Sequence, residues 1–141
     1  MMHSPSTGIN ISRYFIMVVV GFIFMFAFDF IVHRNLLMDY YEQSKNLWRS
    51  DEEMQANFIV MMIRNLLLIG IIGYIFTRHF EDKGIMEGFR FGIPMGLLLA
   101  IMMGSSYIWM PVPFALALGW AMSGLGIGLG LGIIFSLIYK Q

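Results

Sequence analysis

The chain has no cysteine, which excludes disulfides and thiolate metal sites and leaves the redox compartment open. Charge is also scarce: 13% of residues are Asp, Glu, Lys or Arg, with 9 acidic and 9 basic side chains in balance. A zero net charge gives no general attraction to nucleic acid. Above all, polar residues are too few to clothe a water-soluble domain of 141 residues, because 58% are hydrophobic and the mean hydropathy is +0.72.

The apolar residues are gathered into long runs. Residues 14–32, 58–76, 91–110 and 113–139 carry almost no charge. A helix needs roughly 20 residues to cross the hydrocarbon of a bilayer. The expectation is an all-α integral membrane protein, a single domain over residues 1–141 with spans at about 12–32, 55–77, 88–110 and 113–139. The four spans form two helical hairpins, and the lipid bilayer is the first partner. The first run is longer than a signal-peptide core and lacks an A-x-A-like site, so it reads as a retained span. Residues 1–11, which include His3, form a short polar tail.

The loop at residues 33–57 is the one sizeable connection. Leu36, Leu37, Tyr40, Tyr41, Leu47 and Trp48 recur at roughly helical spacing, with Asp39, Glu42 and Lys45 between them. An interfacial amphipathic helix and an ordinary loop with aromatic anchors fit equally well. Ser50 and Glu53 have the spacing of a capping box, which starts the second helix near Asp51 and carries it continuously through Phe76. Tyr107 and Trp109 suit a membrane interface, and Pro111 and Pro113 enforce a tight turn. Arg13, Arg78, Lys83, Arg90 and Lys140 lie on one side of the spans, against Arg34, Lys45 and Arg49 on the other. This excess of positive charge places both termini in the cytoplasm.

Small residues mark the faces where helices meet, since in lipid association rests on close backbone approach. Gly88, Gly92, Gly96, Ala100 and Gly104 recur every fourth position in the third span. In the fourth, "SGLGIGLGLG" puts Gly124, Gly128 and Gly132 on one face and Gly126 and Gly130 nearly opposite. The fourth helix should therefore be sandwiched. One face meets the third helix, and the other meets the first hairpin or a second protein. The phosphate-loop pattern G-x-G-x-x-G is not met anywhere in this stretch.

Polar groups inside the spans are few. Asp29 and His33 share a helical face, and Arg64 and Asn65 lie about two turns inside the second span. An ionisable side chain in the membrane calls for a partner, and Asp29 is the expected partner of Arg64. Two readings follow: a structural one, in which the pair pins the first two helices or Arg64 snorkels to the headgroups, and a polar pocket for a cation, proton or ligand headgroup. No second histidine or carboxylate is spaced to complete a metal site, and the arginine opposes a cation. Glu87 and Arg90 are placed to pair locally at the start of the third helix. No nucleophile–base constellation emerges, so neither catalytic residues nor cofactors are assigned and the chain reads as a non-enzyme.

"FDFIVHRNLL", "NLWRSDEEMQ", "GYIFTRHFEDKGIMEGFRFG" and "PVPFALALGWAMSGLGIGLGLGIIFSLIY" together resemble a family of small, uncharacterised four-helix bacterial inner-membrane proteins. That resemblance implies a setting in the bacterial inner membrane and no established activity. The expected function is a structural or accessory component that packs through its glycine-rich faces against another membrane protein or a second copy. The alternative is a small oligomeric transporter or channel with its polar site at Asp29, His33 and Arg64.

Overall fold

The computed structural model describes residues 8–141, so most of the polar tail, His3 included, lies outside the described residues. Among the described residues all regular structure is helical: α1 (Ile11–Phe30), α2 (Met38–Gln43), α3 (Asp51–Ala56), α4 (Phe58–Arg78), α5 (Ile85–Gly104) and α6 (Phe114–Ile138). A π-helical turn, Ile31–Leu36, extends α1, and short 3-10 turns occupy Lys45–Leu47 and Ser105–Ile108. Four segments are long and apolar enough to cross a membrane: Ile11–Leu36, Phe58–Arg78, Ile85–Ile108 and Phe114–Ile138.

The helix ends follow from local chemistry. Asn10 caps α1 by accepting from the Arg13 amide at 3.2 Å. Ser50 and Glu53 form the reciprocal capping box of α3. The second helix is not continuous, however. Asn57 donates its side-chain amide to the Glu53 carbonyl at 2.8 Å, and the chain breaks there before restarting at Phe58. A short amide side chain that competes for backbone partners is a common cause of such a break. Asp82 and Gly84 both have positive φ, 57° and 63°, and turn the chain between α4 and α5.

α6 is the central helix: it packs against α5 on one side and α1 on another, while α1 also packs on α4. Where α1, α4 and α6 meet, Met17, Ile69, Phe76, Ile127, Leu131, Phe135 and Tyr139 form a fully buried apolar core. Glycines line both remaining contacts of α6. A methyl at Gly124 would meet the Ala100 amide at 2.8 Å, and one at Gly92 would meet the Gly128 carbonyl at 2.9 Å. Opposite them, Phe28 covers Gly126 and Phe24 covers Gly130. Phe15, Val19, Ile59, Ile63, Leu67, Leu98, Ile101 and Leu118 point outward, so the large exposed surface is apolar.

The chain has two distinct ends. At the terminal end, the Asn10 amide donates to the Tyr139 hydroxyl at 3.1 Å, and Lys140 pairs with Asp82 at 2.6 Å. Glu87 is buried there and accepts the amides of Glu81 (2.6 Å) and Lys83 (2.9 Å), closing the α4–α5 turn. It is therefore unavailable to Arg90, which pairs with Glu81 at 3.1 Å in place of the expected local pair. At the opposite, loop end, Leu37, Val112, Leu116 and Ala117 form a second, smaller core. Leu37 sits over Gly119, whereas Leu36 is exposed. The π turn offsets the two leucines so that only one faces α6.

Candidate functional site

Asp29, His33, Tyr41 and Trp120 come together at the loop end. Asp29 and His33 occupy the last turn of α1 and the π turn that follows it. The His33 Nε2 lies 3.8 Å from an Asp29 carboxylate oxygen, too long for a hydrogen bond but within ion-pair range. His33 Nδ1 stands 2.7 Å from the hydroxyl of Tyr41 on α2. That same hydroxyl accepts the indole N–H of Trp120 on α6, also at 2.7 Å. A line of polar contacts thus joins three elements: Asp29, His33, Tyr41 and Trp120.

The donor inventory sets the direction of this line. An indole N–H only donates, so the Tyr41 oxygen accepts from Trp120 and its own proton is directed at His33 Nδ1. A neutral imidazole with Nδ1 as acceptor gives that proton a partner and leaves Nε2–H facing Asp29. The opposite tautomer would leave the phenol proton without His33 as acceptor and turn a lone pair toward the carboxylate. Burial holds the Tyr41 phenol above its ordinary 10.0, outweighing the lowering effect of the Trp120 hydrogen bond. It therefore stays protonated over the physiological range.

Trp48 seals this arrangement from the loop side. Its ring packs edge-on against Tyr41 and Trp120, at centroid separations of 5.5 and 5.9 Å. Its indole N–H donates to the buried Ser44 hydroxyl at 3.1 Å, which in turn donates to the Tyr40 carbonyl at 2.8 Å. The loop is accordingly docked on α6 by aromatic contacts, and Asp39, Glu42 and Lys45 point away from it. Beside the docked loop, a cavity of about 370 Å³ is lined by Gln43, Ser44, Asn46, Leu47 and Pro111–Pro113.

The expected Asp29–Arg64 pair does not form. Arg64 lies exposed on α4 and donates twice to the side-chain oxygen of Asn65, at 3.1 and 2.6 Å, while Asn65 itself is buried. Arg64 still acts electrostatically on Asp29 and His33 from beyond contact distance. The physical reason is placement: Arg64 lies on the outer surface of α4, and its long side chain folds onto the nearest neutral acceptor. Tyr41, Trp48 and Trp120 were not singled out as site residues from the sequence. Their signal was the polar tip each carries: an N–H or O–H inside an apolar stretch needs a partner.

The Ser123 hydroxyl is buried on α6 and has no hydrogen-bond partner among the described residues. It lies one turn beyond Trp120 on the helix that carries the end of this polar line. No family model, curated protein or solved structure matches the chain. The functional reading therefore rests on the chain's own geometry.

Proposed function

We propose that this is a four-span integral membrane protein of the bacterial inner membrane, with two helical hairpins and both termini in the cytoplasm, acting as a structural or accessory component. The observation that carries the reading is the filled midsection. Met17, Ile69, Ile127, Leu131 and Phe135 are buried between the two ends of the helices, and the polar line of Asp29, His33, Tyr41 and Trp120 stays at one end. Such an interior supports packing rather than a continuous polar path through one copy of the chain.

The glycines of α6 favour close contact inside the chain. Gly124, Gly128 and Gly132 face α5, and Gly126 and Gly130 face α1. In lipid, this approach gains dispersion energy that a larger side chain would forfeit. A protein partner would then meet the apolar outer surfaces, among them the α5 face with Leu97, Leu98, Ile101 and Met102.

Site-specific photo-crosslinking from Leu98 and Ile101 in native membranes tests the reading. The expected outcome is a discrete, reproducible protein adduct, either a second copy or one defined partner. Lipid adducts alone would overturn the accessory role. Passage of a defined ion across liposomes holding the purified protein would move the assignment to the transporter, with Asp29, His33 and Arg64 as its polar site.

A further inference from the structure

We propose that His33 is a proton-operated latch, whose protonation from the aqueous side releases the docked loop between residues 37 and 48 from α6. This goes beyond the accessory reading and does not depend on it.

The argument starts from the direction of the hydrogen bonds. In the docked state Trp120 donates to Tyr41, Tyr41 donates to His33 Nδ1, and Nε2–H faces Asp29. Every proton has one place to go. When a proton adds to Nδ1, that nitrogen becomes a donor facing an oxygen that already accepts from Trp120. The Tyr41 proton loses its acceptor, and two N–H donors converge on one hydroxyl. The new positive charge gains its compensation elsewhere, from Asp29 one turn back along the same helix. Protonation therefore strengthens a contact within the α1 segment and weakens the contact between that segment and the loop.

The groups around His33 set the balance. Asp29 on α1 stands 3.8 Å from Nε2, Arg64 on α4 is turned onto Asn65, and Tyr41 on α2 favours the neutral imidazole through its donated proton. Trp120 on α6 is uncharged, and Arg34, next along the π turn, is exposed. The imidazole is about one-third exposed and stands three residues from the loop end of the Ile11–Leu36 segment, so a proton can reach it without crossing the core.

What moves is also defined. The loop is held to α6 by the Tyr41–Trp120 bond, by Trp48 edge-on against both rings, and by Leu37 over Gly119. The second donor on the Tyr41 oxygen competes with the Trp120 indole N–H. Loss of that bond leaves, among the described residues, only apolar contacts between two short helical pieces and α6. Two of the chain's three tryptophans sit in this contact, which makes its state directly readable.

The test uses the purified full chain in lipid nanodiscs with Trp109→Phe, leaving Trp48 and Trp120 as reporters. Acrylamide quenching should rise about twofold in one sigmoidal step between about pH 8 and pH 5.5, the range in which histidine changes charge. His33→Gln keeps an acceptor for Tyr41 but cannot titrate there, and should abolish the step. His79→Gln should leave it intact. Tyr41→Phe, which removes the latch hydroxyl, should show the acid level of quenching already at about pH 8. A flat profile in the Trp109→Phe parent overturns the proposal, as does a step that survives His33→Gln. Protection in Tyr41→Phe equal to the parent's at the higher pH also overturns it.

Discussion

Gly92 on α5 lies directly against the carbonyl of Gly128 on α6, so a methyl group added at Gly92 would meet that oxygen at 2.9 Å and the Leu129 Cα at the same distance. Both obstacles are backbone, and helical backbone cannot swing aside as a side chain does. Gly92→Ala should therefore force the two helices apart and cost about 1–3 kcal/mol, the usual range for overpacking. Gly70→Ala is the internal control, because its methyl would find only the Tyr14 hydroxyl at 3.4 Å. Reversible unfolding in mixed detergent micelles should show the first variant destabilised and the second within about 0.5 kcal/mol of the parent.

The opposite side of α6 should respond differently. A methyl at Gly126 would meet the Phe28 ring at 2.6 Å, but that ring is the end of a side chain that can rotate away. Gly126→Ala should cost less than Gly92→Ala, by about 1 kcal/mol or more. Phe28→Leu combined with Gly126→Ala should recover part of the loss, so the pair is non-additive in the same unfolding assay.

Glu87 holds the α4–α5 turn by accepting two backbone amides while buried. Glu87→Ala leaves both amides without that acceptor and should destabilise the protein by about 1–3 kcal/mol. Glu87→Gln keeps one acceptor oxygen and should fall between the parent and the alanine variant. Amide hydrogen exchange at Glu81 and Lys83 should accelerate in the same order. Unchanged exchange in the alanine variant would contradict the assigned role.

Glu81 carries the acid dependence expected at the terminal end. Hydrogen bonds and charges from Lys83 and Arg90 hold its carboxyl below the ordinary 4.5. A lowered folded-state pKa stabilises the fold above the unfolded value, and that contribution is lost as pH falls through the folded value. The Glu81 contribution should thus be level above about pH 5 and decline below it, and it should be absent in Glu81→Gln. Because the group is exposed, added salt should reduce this share at neutral pH. A decline of the same size in Glu81→Gln would assign it to other carboxylates.

The helical class and the four long apolar segments could be read from the chain alone, because run length and charge exclusion are local properties. The start of α3 at the Ser50–Glu53 capping box is local in the same sense. Its break at Asn57 was missed, since a mid-helix asparagine either points to solvent or takes a backbone carbonyl, and spacing does not say which. The same limit applied to charge. Arg64 and Asp29 sit at similar depth in sequence, yet pairing depends on which way each helix is turned. Arg64 faces outward onto Asn65, and Asp29 faces His33.

The sequence by itself determined the four long apolar helical stretches, the small-residue faces of the third and fourth, and the placement of Asp29, His33 and Arg64 near one end of the first two. Those properties depend only on residue type and period. Only the tertiary structure decided that Phe24 and Phe28 of the same chain cover the second glycine face, and that Tyr41 and Trp120, 79 positions apart, share a hydrogen bond next to His33. Such contacts depend on the order and rotation of helices around α6. Those are fixed by how all the faces pack at once, and no single stretch of the chain encodes them.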